Sequence, residues 1–421
     1  MKIVIPTYDR YNNFKTIQFL KNNNISNECI YIFVANEEQK QKYISVIGNE
    51  YNIIIGVLGL VNQRNFITNY FEDGEIIISI DDDIEDLIQK DNRPLKEWLE
   101  ECIEYLENSN AGLLSINPSV NPFYFEQRKN GKSFKTGRYP AVGVFNILKN
   151  DKELLLSIDD MEDWERSLLY FKKYGMNVRY NDILIKTKYF CKDGGLSSFR
   201  NKYTYLNNLN KLVYRFNEYV SFNYKKLPLD KNIFFPNLHF LRKSEYIKNN
   251  IIQLPKIDPS ELSLLYCMLE NISIYPKGIK NNRRGFPMGH RSATFGYVRA
   301  RYATRKNGNI YDLSTYSIKY PDIYKELLRI GNIFCPFKFD AIHVNKNVVC
   351  PPHLDSKNVG KSMLLSFGDY TGCNIIIEGE KYNSDCNPII FDGSKLEHWN
   401  TDDLEGTKYS LVFFNGEMSN N

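Results

Sequence analysis

The sequence lacks three features that would place it quickly in a class. No Cys-x-x-Cys pair occurs among its eight cysteines, so a structural zinc site is not expected. No apolar run approaches the roughly 18 residues needed to cross a bilayer. The amino terminus, MKIVIPTYDR, has no apolar signal-peptide core. These absences predict a soluble intracellular protein without a signal peptide or a membrane contact.

The cysteines leave one redox question open. Cys350, Cys373 and Cys386 lie close together in a region with a strand pattern. A disulfide is one interpretation there, but buried free thiols are favoured, because a free cysteine behaves as a small apolar side chain.

Length and composition favour two globular domains. The chain has 421 residues, too many for one typical domain of roughly 100–200 residues. Its 43% hydrophobic and 14% aromatic content can fill two cores. The formal net charge of +4 permits an acidic partner without requiring one.

The stretch Glu75–Ile84 joins an apolar run to three consecutive carboxylates. Its isoleucines, with little alternation, predict a buried parallel strand. Alternate side chains of an extended segment point the same way, so Asp81 and Asp83 are predicted to bind one hard cation, Mn²⁺ or Mg²⁺. A cation there can hold a diphosphate, with Asp82 beside it, which indicates a nucleotide-sugar glycosyltransferase. The alternative is a solvated acidic turn.

The first part of the chain alternates short apolar strands with helices. This alternation predicts a parallel sheet with helices on both faces, whose ligand crevice lies at the carboxyl ends of the strands. The predicted strands are 2–5, 30–34, 53–57, 76–80 and 183–186. A first helix is predicted after a cap at Thr7 or Asp9, and further helices at 39–47, 61–71 and 94–108. A last helix is predicted to begin at a cap on Asp159 or Asp160 and to end at Gly175.

Polar residues after the first strand and at the third helix suit a nucleotide. Thr7, Tyr8 and Arg10 stand where a base and ribose would lie. Gln63 and Arg64 open a helix whose terminal amides favour an anion. The alternatives are that Tyr8 only packs against its neighbours and that Arg64 pairs with a structural carboxylate.

Further candidates lie later in the same region. Glu162 and Asp163 are predicted on a first helical turn, where they can accept hydrogen bonds from sugar hydroxyls or simply complement the helix dipole. Lys192 with Gly194–Gly195 combines a cation with a flexible backbone that can close over a phosphate, or forms a plain tight turn. His239 is a candidate third metal ligand or a structural histidine.

The second half of the chain has a different pattern. Residues 201–250 are rich in Asn, Tyr and Lys and predict an irregular connecting arm that ends a first domain at residue 250. Asp258-Pro259-Ser260-Glu261 then has the residues of a helix start. Short alternating runs between Gly, Asp and Asn turns predict an antiparallel jelly roll within 251–421.

His353, Asp355 and His398 have the composition of a facial triad. Two imidazoles and one carboxylate that leave positions open are typical of non-haem Fe(II) oxygenases. His353 and Asp355 are two apart, and a strand and turn can bring His398 opposite them. The alternative is a degenerate jelly roll retained for docking or dimerisation.

Residues 271–311 contain no Asp or Glu, and their lysines and arginines are interleaved with aromatic residues. This pattern suits a nucleic-acid surface. It equally suits a contact with 2-oxoglutarate or an acidic loop, or a solvated face.

Several of these motifs together resemble known families. IVIPTYDR, VNQRNFITNYF, ISIDDDIEDL, MEDWE and KDGG, within about residues 1–200, resemble GT-A glycosyltransferases, and more narrowly the family found beside base-J thymine hydroxylases and the glycosyltransferase domains of collagen lysyl hydroxylases. This resemblance implies a UDP-sugar donor, usually UDP-glucose, and Mn²⁺. It implies that Asp83 binds the metal and that Asp81 reaches the ribose.

The carboxyl-terminal pattern is similar to 2-oxoglutarate oxygenases over about residues 280–415. That family places an arginine after the second histidine to bind 2-oxoglutarate, and Lys408 stands there in this chain. The predicted fold class is therefore α/β, with an N-terminal GT-A Rossmann-like domain and a C-terminal double-stranded β-helix.

The two resemblances together predict a hydroxyl that is installed and then glycosylated. The abundance of Lys, Asn, Ile and Tyr resembles proteins of giant viruses, so the predicted acceptor is galactosyl-hydroxylysine of a collagen-like protein. Hydroxymethylated DNA is the alternative acceptor, less favoured because the net charge is small. A 2-oxoglutarate-dependent hydroxylase and a non-catalytic scaffold are the alternative functions, and a homodimer is the expected assembly.

Overall fold

A computed structural model describes residues 1–89, 92–117, 133–137, 140–187, 202–222, 238–240, 251–271, 291–299, 311–356 and 358–416. The chain divides into two compact units, Met1–Asn208 and Leu209–Asn421. Within these ranges, every helix is too short or too polar to traverse a lipid bilayer.

The first unit alternates strands and helices up to its fourth strand, as predicted. Its elements are β1 (Ile3–Pro6), α1 (Lys15–Asn22), β2 (Ile30–Val34), α2 (Glu37–Ile47), β3 (Asn52–Ile55), α3 (Leu60–Tyr70), β4 (Ile76–Ile80), β5 (Ile84–Gln89), α4 (Leu95–Asn108), β6 (Leu113–Asn117), β7 (Phe134–Gly137), β8 (Phe145–Lys149), α5 (Glu162–Tyr174) and β9 (Asn177–Thr187). Helix α6 (Lys202–Arg215) includes the last residues of this unit and the first residues of the next.

The sheet of the first unit is mixed rather than wholly parallel. Its order among the described residues is β3-β2-β1-β4-β8-β6-β9-β5, with β7 on β9. Strands β1 to β4 run parallel, but β4 also pairs with the antiparallel β8, with Ile78 opposite Ile147. Strand β4, which precedes the three aspartates, therefore lies where the sheet changes from parallel to antiparallel pairing.

Both faces of this sheet are covered by helices. Ile3 and Ile5 of β1 pack in one core with Leu20 of α1 and Trp98 of α4. Val4, between them, points to the opposite face, where it packs near Ile67 of α3. Each fully buried large apolar side chain stabilises the fold by about 1.5–3 kcal/mol.

Two predicted helix caps are wrong. Helix α1 begins at Lys15 without a side-chain cap, after a 3-10 turn at Tyr11–Asn13. Thr7 cannot cap it, because its hydroxyl is bonded to Asp82. Helix α5 is preceded by Met161, with φ of 86°, rather than capped by Asp159 or Asp160, although Gly175 ends it as predicted.

The predicted irregular arm is wrong for residues 202–215, which form helix α6. Five buried side chains recur at helical spacing in this helix and the residue that follows it, and this apolar stripe outweighs the polar composition. They are Tyr205, Leu209, Leu212, Val213 and Phe216.

The second unit is built mainly from antiparallel strands. Its elements are β10 (Val220–Phe222), β11 (Leu238–Phe240), β12 (Ile252–Gln253), α7 (Ser263–Asn271), β13 (Arg291–Arg299), β14 (Tyr311–Leu313), α8 (Thr315–Lys319), α9 (Pro321–Phe334), β15 (Ala341–Lys346), β16 (Val359–Thr371), β17 (Ile375–Ile377), β18 (Glu380–Tyr382), β19 (Ile389–Phe391), β20 (His398–Asn400) and β21 (Glu405–Asn415).

Two antiparallel sheets form the jelly roll of this unit. The larger has the order β12-β19-β16-β21-β15-β13-β14 and the smaller β18-β17-β20. Leu364 and Ile389 of the larger sheet pack with Ile375 and Ile377 of the smaller one. The predicted fold class, α/β with a jelly roll in the second half, is confirmed. Asp258 caps a turn at Pro259–Leu262 ahead of α7, as its sequence predicts.

The cysteines of the described ranges are free thiols, which agrees with the favoured interpretation for Cys350, Cys373 and Cys386. Burial raises the pKa of Cys386 to about 11, so this thiol stays protonated at neutral pH.

Candidate active sites

The acidic motif of the first unit forms a turn after β4 and not an extended segment. Asp81 and Asp83 consequently contact different partners. Asp81 Oδ1 accepts a hydrogen bond from Arg64 Nη2 at 2.9 Å, and Asp83 Oδ2 accepts one from Arg10 Nη1 at 3.2 Å. The extended backbone expected for the motif is therefore wrong, whereas a cation shared by the two carboxylates stays a prediction, and both lie at the carboxyl end of β4.

Asp82 joins this turn to the end of β1. Its Oδ2 accepts a hydrogen bond from Thr7 Oγ1 at 2.6 Å, and its Oδ1 lies 3.3 Å from Arg10 Nη1. Thr7 Oγ1 is also 2.6 Å from the hydroxyl of Tyr43, which lies on α2. Burial raises the pKa of Tyr43 to about 12, so the phenol stays neutral and fixes Thr7.

Arg64 connects α3, β4 and α5. Its Nη2 contacts Asp81 and lies 3.3 Å from Glu162 Oε1, and its Nη1 donates to Ser79 Oγ at 3.3 Å. Helix α3 begins at Leu60, so Gln63 and Arg64 lie within the helix rather than at its first amides. Gln63 Oε1 instead accepts from the backbone N–H of Val57 at 2.7 Å.

The carboxylates of this region are partly buried close to one another. Burial, and then neighbouring acids, raise the pKa of Asp82 to about 7 and that of Asp163 to about 7. Burial and the charge of Asp81 also raise the pKa of Asp83. The Oδ1 atom of Asp83 is buried and has no hydrogen-bond partner among the described residues. An orphaned carboxylate oxygen among crowded acids fits a divalent cation.

The other predicted residues of this site have different positions. Tyr8 is 45% exposed at the end of β1, so its ring is not part of the core. Glu162 and Asp163 lie on the first turn of α5 as predicted. Lys192 and Gly194–Gly195 lie outside the described residues. His239 is on β11 in the second unit, and its side chain is outside the described part.

The second candidate site is formed by His353, Asp355 and His398. Asp355 Oδ1 lies 3.8 Å from His353 Nε2, and its Oδ2 lies 3.6 Å from His398 Nε2. One ligand atom from each residue falls within 4.8 Å of the others, and no second group of three such residues occurs in the described ranges. The structure thus brings together the three residues of the predicted triad.

Backbone carbonyls fix the orientation of both imidazoles. His353 Nδ1 is 2.8 Å from Pro351 O, and His398 Nδ1 is 2.9 Å from Leu396 O. Because a carbonyl only accepts, Nδ1 is the donor in each ring, and Nε2 is the ring nitrogen that faces Asp355. This second layer of hydrogen bonds is what ligand histidines normally have. Burial alone would raise the pKa of Asp355, but His398 and His353 outweigh it, so the pKa is lowered and Asp355 is ionised.

Lys408 lies on β21 in the same unit, and its amine is buried. Nζ donates to Cys373 O at 2.5 Å, contacts Cys373 Sγ at 3.2 Å and lies 5.3 Å from the ring centroid of Tyr370. None of these partners is a carboxylate. Of the basic stretch 271–311, the structure describes only Asn271, 291–299 and Tyr311.

Two residues of the first unit were not anticipated from the sequence. Tyr43 reaches the end of β1 from α2, and Arg166 is buried one turn after Glu162 on α5. The burial of Arg166 could have been predicted, because this charged residue interrupts the apolar stripe of a helix. Tyr43 had no such signal, since a tyrosine on an apolar face usually only packs.

No protein-family model and no curated protein matches the chain. Among solved structures, the chain is similar to GalNAc-T7 with UDP, GalNAc and Mn²⁺. The two share 11% identity over 51% of this chain and 48% of that one, with a TM-score of 0.36.

Two oxygenase structures are also similar to the chain. NgTET1 in complex with 5mC DNA shares 12% identity over 40% of this chain and 72% of that one, with a TM-score of 0.28. A Pseudomonas putida prolyl-4-hydroxylase shares 11% identity over 41% of this chain and 96% of that one, with a TM-score of 0.26. At such identities likeness concerns fold alone, so the side chains decide what each site can do.

Proposed function

We propose that the first unit is a metal-dependent glycosyltransferase that moves glucose from UDP-glucose to a hydroxyl acceptor. The observation that carries this proposal is the acidic turn. Asp81, Asp82 and Asp83 lie with Glu162 and Asp163 in a region where, within the described ranges, the guanidinium groups that contact them are those of Arg10 and Arg64. A divalent cation would supply the missing charge and favour the ionised carboxylates.

Asp83 is the principal candidate for a metal ligand, since its Oδ1 has no other described partner, and Asp81 is the second. A bound Mn²⁺ or Mg²⁺ would supply Lewis-acid stabilisation of a leaving diphosphate. Arg10 would contact the same anion, and Thr7 and Tyr8 would lie along the nucleoside. Lys192, Gly194 and Gly195 remain further candidates for this site on the sequence alone.

Asp163 is the best candidate for proton transfer. Burial and the charge of Glu162 raise its pKa to about 7, near the pH at which a general base works best. Its Oδ1 accepts from the N–H of Trp164 at 2.8 Å, which holds the carboxyl on the first turn of α5. Glu162, bonded to Arg64, would accept hydrogen bonds from sugar hydroxyls.

The proposed acceptor is galactosyl-hydroxylysine of a collagen-like protein. It rests on the motif resemblance and on the presence of a second, oxygenase-type site in one chain. Hydroxymethylated DNA is the second candidate acceptor, because the same pairing of a hydroxylating and a glycosylating domain suits modified bases. A homodimer remains the expected assembly.

The experiment is a UDP-release assay of the full chain with UDP-sugars, with and without Mn²⁺. Galactosyl-hydroxylysine peptide and hydroxymethylated DNA are offered in parallel as acceptors. UDP release with the peptide that depends on Mn²⁺ and falls at least about 100-fold in Asp83→Asn supports the proposal. Asp86→Asn, an exposed acid on the adjoining strand, is the matched control. Absence of UDP release with every donor and acceptor would refute it.

A second candidate function belongs to the second unit. The facial arrangement of His353, Asp355 and His398 favours an Fe²⁺- and 2-oxoglutarate-dependent hydroxylase, with Lys408 as the counter-charge for 2-oxoglutarate. Lysine would bind that carboxylate as a point charge and not as a bidentate fork. Succinate formation that is lost in His353→Ala but retained in Asp83→Asn supports this function, and no succinate from the iron-loaded wild type would contradict it.

A further inference from the structure

A small cavity lies in the first unit between β4 and the helices α3 and α5. Its volume is about 20 Å³, which is room for one small species. Isoleucine and leucine side chains form much of its wall. The polar groups that line it are Arg64, Thr68, Ser79, Arg166 and Tyr170, and no carboxylate is among them.

Arg166 brings an unbalanced charge to this cavity. It is only 7% exposed, and it makes no hydrogen bond or ion pair within the described residues. A guanidinium is always protonated at neutral pH, and a buried charge without a partner is strongly unfavourable. Burial and repulsion from Arg64 lower the pKa of Arg166 to about 10, and the more distant carboxylates of Glu162 and Asp81 do not offset them.

The remaining polar groups of the cavity supply donors. Ser79 Oγ accepts from Arg64 Nη1 at 3.3 Å, which leaves the hydroxyl hydrogen of Ser79 to donate. The Nε of Arg64 is buried and has no hydrogen-bond partner in the described part of the chain. An acceptor placed in the cavity would meet these donors, but only an acceptor with negative charge would also compensate Arg166.

We propose that this cavity binds one monovalent anion, chloride, between Arg64 and Arg166. Phosphate and carboxylate ligands would need hydrogen-bond donors for several oxygens, and the isoleucine and leucine part of the wall offers none. A water molecule fits by size but leaves the charge of Arg166 unbalanced. The site shares Arg64 with the proposed donor site, but its test does not depend on the proposed glycosyltransfer.

The test compares chloride with gluconate, an anion too large for the cavity, at constant ionic strength. The full chain is freed of chloride and its Tm is followed as chloride replaces gluconate. We expect a saturable rise on the order of 2–4 °C in the wild type. In Arg166→Met, which removes the charge and keeps an unbranched side chain, we expect no rise.

In the same experiment, the order of stability of the wild type and Arg166→Met should reverse between gluconate and chloride, which general salt effects cannot produce. In gluconate, Arg166→Met should be at least as stable as the wild type, because it removes an uncompensated buried charge. In chloride the wild type should be the more stable of the two. Lys96→Met, at an exposed position on α4, is the control and should keep the wild-type dependence on chloride.

Crystals grown in bromide give a direct readout. An anomalous peak between Arg64 and Arg166 in the wild type, absent from Arg166→Met, supports the proposal. Equal Tm values in chloride and gluconate, or a cavity without a bromide peak, would show that water occupies it and would overturn the proposal.

Discussion

His353 and His398 are each other's backbone partners across an antiparallel bridge. The N–H of His353 donates to His398 O at 3.1 Å, and the N–H of His398 donates to His353 O at 3.2 Å. Each ring also donates from Nδ1 to the carbonyl two residues before it, at Pro351 and Leu396. This repeated arrangement directs the Nε2 atoms of both rings toward Asp355, before any metal binds.

Replacing Asp355 should therefore abolish tight binding of a divalent metal while leaving the fold intact. Asp355→Asn removes the only charged ligand of the triad. Loss of a residue that merely hydrogen-bonds to a metal ligand lowers metal affinity about 10–100-fold, so loss of this ligand should lower it more than about 100-fold. Titration with Co²⁺ or Fe²⁺ under anaerobic conditions measures the change. Asp402→Asn, an exposed site in the same unit, should bind metal as the wild type does. Equal affinity of Asp355→Asn and wild type would exclude the triad as the metal site.

Arg64 is predicted to be a major stabilising residue of the first unit. Arg64→Met leaves Asp81 and Glu162 without their shared counter-charge at a buried position, so we expect a loss of about 3–5 kcal/mol in the free energy of unfolding. Urea denaturation measures it.

A double-mutant cycle separates charge pairing from simple packing in this prediction. Adding Asp81→Asn to Arg64→Met should cost less than the sum of the two single substitutions, because one of the stranded charges is then gone. Additive effects would mean that Arg64 acts through packing alone.

Gly331 on α9 should not tolerate a methyl group. An added Cβ would lie 2.3 Å from the ring of Phe339 and 2.8 Å from that of Phe413, closer than packed atoms allow. Gly331→Ala should destabilise the second unit by about 1–3 kcal/mol, although alanine favours helix formation. Chemical denaturation checks this, with Lys325→Ala at an exposed position of the same helix as control. A more stable Gly331→Ala would show that the neighbouring rings can move aside.

The elements predicted best from the sequence are those whose buried residues form a pattern within a short stretch of chain. Strands β1 to β4 followed from short isoleucine runs, and the triad followed from His-x-Asp in a strand with a later histidine. The pairing of β4 with the antiparallel β8 could not be foreseen, because it depends on a strand far along the chain. Helix α6 was foreseeable from the spacing of Leu209, Leu212 and Phe216, but the polar composition concealed it.

Side-chain competition accounts for the failures within the candidate site. Thr7 and Asp9 are both good capping residues, but the hydroxyl of Thr7 is taken by Asp82, and α1 starts after an intervening 3-10 turn. Asp81 and Asp83 were expected on an extended segment, yet the strand ends at Ile80 and each carboxylate contacts a different arginine. Such choices depend on tertiary partners that no local pattern identifies.

Asp151 should make the stability of the first unit depend on acid pH. Its carboxylate is buried, and it accepts hydrogen bonds from Lys173 Nζ at 2.6 Å, from the Tyr174 hydroxyl at 3.0 Å and from the N–H of Glu153 at 3.1 Å. Burial alone would raise the pKa of Asp151, but the bonds from Lys173 and Tyr174 outweigh it, so the pKa is lowered. The folded-state pKa is then below the unfolded value of about 3.9.

The stabilisation from Asp151 is therefore present above that unfolded value and is lost as pH falls through the folded one. Asp151→Asn should lower the free energy of unfolding by about 1–3 kcal/mol at pH 7, and progressively less as pH falls below the unfolded pKa of about 3.9. Urea denaturation of both proteins across this range measures the difference, and Asp86→Asn, exposed on β5, should show no such trend. A difference that stays constant with pH would mean that asparagine disturbs packing, because only loss of the ionised carboxylate makes the difference shrink in acid.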